Sequence, residues 1–306
     1  MSIASEIIRI QRGKKTLLTA FQRIGYNVTI NTKLDNNLIE LLDPICKGES
    51  LSYLEKDQNY LTFKWVQNGA FYWKTSDASW TKDIQYKKNG TGEWITITSS
   101  TSGYVCDCIT GDEIWVKGNN TTYASANYYC SFKIIGKTYI SGNVNSLLNF
   151  NTILTDYCFR YLFYNCSFID IDKEHPLLLP ATTLANYCYS IMFRGCTSLT
   201  TTPALPATAL VSGCYCQMFY GCRSLTTAPE LPATTLTFSC YQNMFFGCTS
   251  LNYIKCLATD IFATYCTSNW VQNVASSGTF VKNASMTSWT AGTSGIPSGW
   301  TVEDAS

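Results

Sequence analysis

Across residues 150–282 the apolar positions repeat with a fixed step. Leu179, Leu205, Leu231 and Leu257 lie 26 residues apart, and Cys188, Cys214, Cys240 and Cys266 keep the same step. So do Met192-Phe193, Met218-Phe219, Met244-Phe245 and Trp270-Val271. A period of this length is the mark of a solenoid, in which each copy buries its apolar face against its neighbours. Inside one copy Leu184, Cys188 and Met192 fall at helical spacing, with Tyr189 and Phe193 beside them. Pro180 and Thr182-Thr183 offer start signals, and Gly195 sits where a helix wants a left-handed C-terminal residue. Cys196, Leu199 and the Thr-rich stretch that follows predict a short strand leading into the next Leu-Pro. The first copy is legible at Leu154, Cys158, Phe159, Leu162, Phe163 and Cys166, and the extra residues around Asp170–Pro176 predict a bulge. Beyond Ala275 the period fails, and 283–306 reads as a C-terminal cap with a loose tail.

The rest of the chain divides in two. Over 1–48, Ile3, Ile7, Ile10, Leu17, Leu18, Phe21 and Ile24 recur at helical spacing up to Gly25, and Leu34, Leu38, Leu41, Leu42 and Ile45 form a second short stripe. Such narrow stripes bury little alone, so this segment is expected to attach or oligomerise. Over 51–142 the runs Leu61-Thr62-Phe63, Ala70-Phe71-Tyr72-Trp73, Ile84-Gln85-Tyr86, Trp94-Ile95-Thr96-Ile97 and Ile114-Trp115-Val116 alternate with Asn-Gly and Gly-Asp turn signals. They predict a small antiparallel β-sandwich with Trp65, Trp73, Trp94 and Trp115 in its core. Cys106 and Cys108 are read here as pointing to opposite faces. The whole is an α+β multidomain chain: N-terminal helices, a sandwich, and a strand–helix solenoid.

Composition narrows the chemistry. Charged residues make up 14% of the 306 and the net charge is +1, so nothing favours nucleic acid or an anionic membrane as partner. No apolar run reaches the ~18 residues of a membrane span, and the N-terminus carries no secretory h-region. Fifteen cysteines are an odd number. Two repeating positions hold nine of them, too far apart along a helix for a disulfide, and they are expected as buried small apolar side chains in a protein assembled in a reducing cytoplasm. His175 is the only histidine; beside Asp172 and Glu174 it reads as a solvated loop residue. No metal, cofactor or catalytic motif is present, so the protein is expected not to be an enzyme.

The unit MFRGCTSLTTTPALPATAL, with Phe193, Gly195-Cys196, Ser198-Leu199 and Leu205-Pro206, resembles the BspA-type leucine-rich repeats, which implies a leucine-rich-repeat solenoid used in adhesion. Ser2-Ile3-Ala4, Glu6-Ile7, Arg9-Ile10-Gln11, Lys14, Gly25, Val28 and Lys33-Leu34-Asp35 resemble the opening of tail and virion proteins of gut-bacterial phages. Tyr60–Phe63 through Trp115–Gly118 resembles the immunoglobulin-like module found between such parts, with Ser76–Trp80 as a loop insertion. The resemblance implies a virion structural protein: a fibre or appendage subunit made in the host cytoplasm, a homo-oligomer (a trimer), held to other virion proteins by the N-terminal helices. Its partner would be a host-surface glycan or protein. A bacterial cell-surface leucine-rich-repeat adhesin is the alternative.

Comparison of copies separates core from surface. Leu184, Cys188, Tyr189, Met192 and Phe193 hardly vary from copy to copy, whereas Tyr187, Arg194 and Thr201 correspond to Gly213, Tyr220 and Thr227 and then to Ser239, Phe246 and Tyr253. Large aromatic and arginine side chains at outward slots suit contacts with sugars or protein. Tyr187, Arg194, Tyr220, Arg223, Phe246 and Tyr253 are the candidate ligand-binding residues, with Trp80 as a further contact in its polar loop.

Overall fold

Alternation builds the first sheet. In β1 (Leu61–Trp65) Leu61, Phe63 and Trp65 are buried, as are Ile114 and Val116 of β6 (Glu113–Lys117), the period of a strand with one face on a core. β1 is antiparallel to β6, with Phe63 opposite Ile114, and to β8 (Thr138–Asn143), with Phe63 opposite Ile140. Beyond β6 come β3 (Asp83–Lys88) and β4 (Ile95–Thr98). A second sheet places β2 (Gly69–Thr75) between β5 (Tyr104–Cys108) and β7 (Cys130–Ile135), antiparallel throughout. Cys106 and Cys108, two residues apart in β5, share one face of that strand and do not point to opposite faces. The sheets meet through rings: the Phe63 ring centre lies 5.3 Å from that of Phe71 and 4.9 Å from that of Phe132. Trp65 and Trp73 are buried there, donating Nε1–H to the Ile135 and Lys82 carbonyls at 3.0 and 2.8 Å. Trp94 and Trp115 are not in this core. Trp115 lies between inward-facing Ile114 and Val116, so it emerges on the other side of the sheet, where Tyr60 stacks on it and meets Trp94 edge-on.

The computed structural model describes residues 59–305; the helices expected over 1–48 lie outside the described residues. From Tyr60 onward the chain forms one compact unit. β9 (Ile169–Ile171) and β10 (Leu177–Leu178) run parallel to β8, pairing with Thr138–Ile140 and with Gly142–Asn143. The extra residues of the first copy thus loop out between two strands that seal the sheet edge. Asp170 extends the seal: its carboxylate accepts from Ile171 N, Thr200 N and Thr200 Oγ1 at 2.9, 2.8 and 2.6 Å.

The α+β reading is overturned. Among the described residues the only helix is a 3-10 turn, Val144–Leu147, and the secondary structure is otherwise strands gathered in three small sheets. Neither the predicted helix nor the predicted strand recurs in each copy, so the strand–helix leucine-rich-repeat solenoid is not what this sequence forms. Residues 185–196 are instead a run of overlapping turns. Cys188, Met192 and Cys196 donate N–H to the carbonyls three residues back at 3.2, 3.3 and 3.1 Å, and Tyr187, Ile191 and Gly195, third in those turns, have φ of 55°, 61° and 78°. A positive φ every fourth residue excludes an α-helix and is the type II turn requirement. The repeat of apolar positions is four, close enough to 3.6 to imitate a helical stripe. The alternate N–H groups leave the copy: Tyr189, Ile191, Phe193 and Gly195 donate to Cys214, Cys216, Met218 and Tyr220 carbonyls of the next copy at 2.8–3.0 Å.

Two columns of rings run through successive copies. Phe159, Tyr189, Tyr215 and Tyr241 stack at 5.8–6.2 Å with interplanar angles of 5–16°. Phe163, Phe193, Phe219 and Phe245 do so at 5.2–5.9 Å. Phe132 of the second sheet heads the phenylalanine column and Tyr123 the tyrosine column, while both end on Trp270. Backbone N–H groups of Tyr123 and Phe132 donate to Cys158 and Leu162 carbonyls at 2.9 Å, as a preceding copy would. The far end is closed by residues 293–295, which accept from Val271 N, Thr267 Oγ1 and Trp270 Nε1. The C-terminal segment is ordered rather than loose: β11 (Tyr253–Cys256), β12 (Thr279–Lys282) and β13 (Thr301–Asp304) form a parallel sheet.

Candidate binding surface

Within the turn run of the second copy Ser190 and Ile191 are covered along with the inward pairs on either side. Cys188-Tyr189 and Met192-Phe193 are buried, and Asn186-Tyr187 and Arg194-Gly195 reach the surface. Stacking the copies turns those outward slots into rows on one wall. One row is Tyr164, Arg194, Tyr220, Phe246; the equivalent positions Tyr157, Tyr187, Gly213, Ser239 and Tyr265 form a neighbouring row, in which Gly213 and Ser239 are buried.

The first row brings three candidates together. The Arg194 guanidinium lies 4.3 Å from the Tyr220 ring centre and also donates to the Gln217 side-chain carbonyl, and Tyr220 stacks on Phe246 at 4.6 Å and 4°. Both faces of Tyr220 are therefore occupied, one by a cation–π contact and one by a ring. Tyr187 is held in the same way. Tyr157 stacks on it at 5.4 Å and 7°, and its ring lies so close to Gly213 that a Cβ there would fall 2.2 Å from Tyr187 Cε1. These rings brace neighbouring copies and offer their edges to solvent, with only the outermost faces open.

The other candidates are not brought to this row. Arg223 is exposed and Tyr253 half-buried, both in the segment after the turns, where Tyr253 bridges to Thr227. Trp80 is on the β-sheet part of the unit, half-buried, stacked 6.1 Å from Tyr128 with Lys82 Nζ 4.7 Å over its ring. His175 is exposed and 3.8 Å from Asp172.

The two ends of the wall differ. At the first copy a loop from the second sheet covers it: Tyr129 stacks on Tyr161 at 4.2 Å, and Arg160 donates to the Ser125 and Ala126 carbonyls. At the last copies it is uncovered. Phe238 is 46%, Tyr265 59% and Phe262 83% exposed, with Phe238 edge-on to Tyr265 at 6.0 Å. Comparison of the copies by sequence singles out none of Phe238, Phe262 and Tyr265 as a candidate contact. The period itself carries the signal. Thr227 pairs with Tyr253, 26 residues on, but Leu231 pairs with Cys256, 25 residues on. The regular step returns at Ser239, whose N–H reaches Thr264 as Gly213 reaches Phe238. One residue is thus missing before Cys256 and one is added before Thr264, and Phe262 stands in that added stretch.

The thiols take no part in the wall. Burial pushes Cys158, Cys166, Cys188, Cys240, Cys248 and Cys256 up to about 12, which makes them inert as nucleophiles near neutrality. Among the described residues no group of three or more His, Cys, Asp or Glu could hold a metal ion, and no helix is long and apolar enough to cross a membrane. A cleft of about 420 Å³ lined by Asp83, Gln85, Thr96, Lys117, Asn119 and Asn149 contains none of the candidate residues. No family model, curated protein or solved structure matches this chain.

Proposed function

We propose that this protein is a structural subunit of a phage virion, a fibre or appendage component that binds the bacterial host surface through the outer wall of its 26-residue copies. The observation that carries the reading is the exposed ring pair of Phe238 and Tyr265, with exposed Phe262 three residues before Tyr265 in the chain, at one end of a wall whose other end is covered. An exposed ring at 83% costs solvation without stabilising the fold, and exposed apolar patches mark contact sites. The low charge favours a partner met through ring faces, hydroxyls and amides, which suits a surface glycan or a neutral protein surface. The opening segment, which resembles virion proteins, would supply attachment to other virion components, and several copies of one subunit would multiply weak contacts into avidity.

Mass spectrometry of purified virions of the encoding phage tests the assignment, with the protein expected among the particle components. Its absence from particles and recovery in the bacterial envelope would make it a cell-surface adhesin instead. Isolated full-length protein should sediment with host cells, and the F238A/F262A/Y265A variant should not. Equal sedimentation of both would remove the wall from the binding role.

A further inference from the structure

The cleft of about 420 Å³ is built on the first sheet, away from the wall. Ile84 of β3 and Ile114 and Val116 of β6 belong to the core, so Gln85 and Lys117 emerge on the opposite face. Register sets them in line: Gln85 stands opposite Thr96 of β4 on one flank and opposite Lys117 on the other, and Asp83 stands opposite Thr98. The segment leaving β6 closes one end. Gly118 N donates to the Ser146 carbonyl at 2.9 Å, Asn149 N donates to the Gly118 carbonyl at 2.7 Å, and Asn119 bridges to Leu148. Two strapped loops thus hold Asn119 and Asn149 in the lining. Only glycine fits at 118, because a Cβ there would fall 2.2 Å from Tyr123 Oη, which donates to the Leu147 carbonyl at 2.6 Å. Asn149 is left-handed, at φ of 51°, a conformation that asparagine tolerates. The volume falls within the ~300–1,000 Å³ of small-molecule sites.

We propose that this cleft binds a neutral saccharide unit. Its lining both gives and accepts hydrogen bonds. Gln85 donates one amide N–H to Thr96 Oγ1 at 3.2 Å, and Asp83 accepts from Thr98 Oγ1 at 2.6 Å. Each keeps further capacity: the Gln85 carbonyl and second N–H, and the remaining lone pairs of the carboxylate. The side-chain amides of Asn119 and Asn149 make no hydrogen bond among the described residues. The Asp83 and Lys117 charges oppose one another, so neither an anion nor a cation is favoured. Apart from Ile84 and Gly118 every lining residue is polar, so a flat apolar ligand has no wall to rest on. A ring of hydroxyls fits this pattern, since each hydroxyl donates and accepts at once. The lining holds one carboxylate, and glycoside hydrolysis uses two, so the site is one of binding. It lies outside the wall and stands independently of the wall's role.

The test is a saturation-transfer NMR titration of the full-length protein with glucose, galactose, mannose and N-acetylglucosamine, and with glucuronic acid as the charged comparison. At least one neutral sugar is expected to respond. Gln85→Ala should weaken that response about tenfold, through the hydrogen bonds it removes. Asn149→Gly, which accepts the left-handed backbone without strain, should weaken it similarly. The F238A/F262A/Y265A variant should bind the sugar unchanged, which separates this site from the wall. Silence from all four neutral sugars, a response from glucuronic acid alone, a response that survives both cleft substitutions, or one lost in the wall variant would each overturn the proposal.

Discussion

The thiol of Cys222 donates a hydrogen bond to the backbone carbonyl of Phe193, one copy back and 3.1 Å away. Cys166, Cys196 and Cys248 make the same bond to Phe132, Phe163 and Phe219 at 3.0–3.1 Å. Each of these carbonyls within the copies already accepts a turn bond, as Phe193 does from Cys196 N at 3.1 Å. A carbonyl has two lone pairs, and the sulfur satisfies the second while filling apolar space. That dual demand accounts for a recurring cysteine without any disulfide.

Removing this thiol should therefore cost both a small cavity and a hydrogen bond. Cys222→Ala is expected to destabilise by about 1–2 kcal/mol, and Cys222→Ser, which keeps a donor, by less. Urea midpoints of the two variants check the order; equal midpoints would mean that the bond contributes nothing.

Trp270 is the terminal support of both ring columns, meeting Tyr241, Phe245 and Trp289 while its Nε1 donates to the Gly295 carbonyl at 2.8 Å. Trp270→Ala should cost about 3–5 kcal/mol. Hydrogen exchange should show protection lost first in the last copies, because each copy is held by its neighbours.

Gly213 and Gly221 are both left-handed, at φ of 60° and 72°, but a Cβ at Gly213 strikes the Tyr187 ring while one at Gly221 meets nothing within 4 Å. Gly221→Ala should cost about 1 kcal/mol from backbone strain alone, and Gly213→Ala distinctly more. Thermal melting of the pair separates the two contributions. The Gly213→Ala penalty should shrink in a Tyr187→Ala background.

Tyr220 and Phe262 have opposite expected signatures. Tyr220→Ala removes a ring clamped on both faces and should lower stability by about 1–2 kcal/mol. Phe262→Ala should leave stability within about 0.5 kcal/mol and reduce sedimentation with host cells. A Phe262→Ala protein that binds normally would exclude this ring from the contact.

Alkali should unfold the protein sharply. The buried thiols have folded values raised to about 12, above the ordinary ~8.5 of an unfolded cysteine. Their stabilisation is complete below that ordinary value and is lost as pH rises towards the folded one. With six such thiols the slope approaches about 8 kcal/mol per pH unit between those limits. Unfolding midpoints should hold steady from pH 6 to about 8 and collapse above about 9; a flat profile to pH 11 would contradict the burial of these groups.

Residues inside the copies explain both the reach and the failure of sequence reasoning. The 26-residue step, the inward Cys-Tyr and Met-Phe pairs and the strands Leu61–Trp65 and Glu113–Lys117 are legible, because burial imposes a period on residue type. The helix is not, because Leu184, Cys188, Met192 and Cys196 keep a step of four that a helical stripe shares over a short span. A discriminating mark was available. Asn165, Gly195, Gly221, Gly247 and Asn273, the residue types that tolerate positive φ, close every turn run. Their neighbours Tyr187 and Ile191 adopt positive φ too and give no such warning, since neighbouring copies impose it on them.

The candidate wall was legible in part. Arg194, Tyr220 and Phe246 are equivalent positions, so one sequence step places them in one row. That their faces are consumed by each other depends on how far apart adjacent copies sit, which composition does not encode. Phe262 was hidden for a different reason: its exposure comes from a residue dropped before Cys256 and restored before Thr264.

By itself the sequence determined the period, the side of each copy that faces inward and the low charge, since each is a property of residue order and type. Tertiary structure decided that the copies are turns and not helices, and that two sheets and the array share one core. Those outcomes rest on hydrogen bonds and ring contacts between residues 25 or more apart, where the partner and not the local segment fixes the backbone.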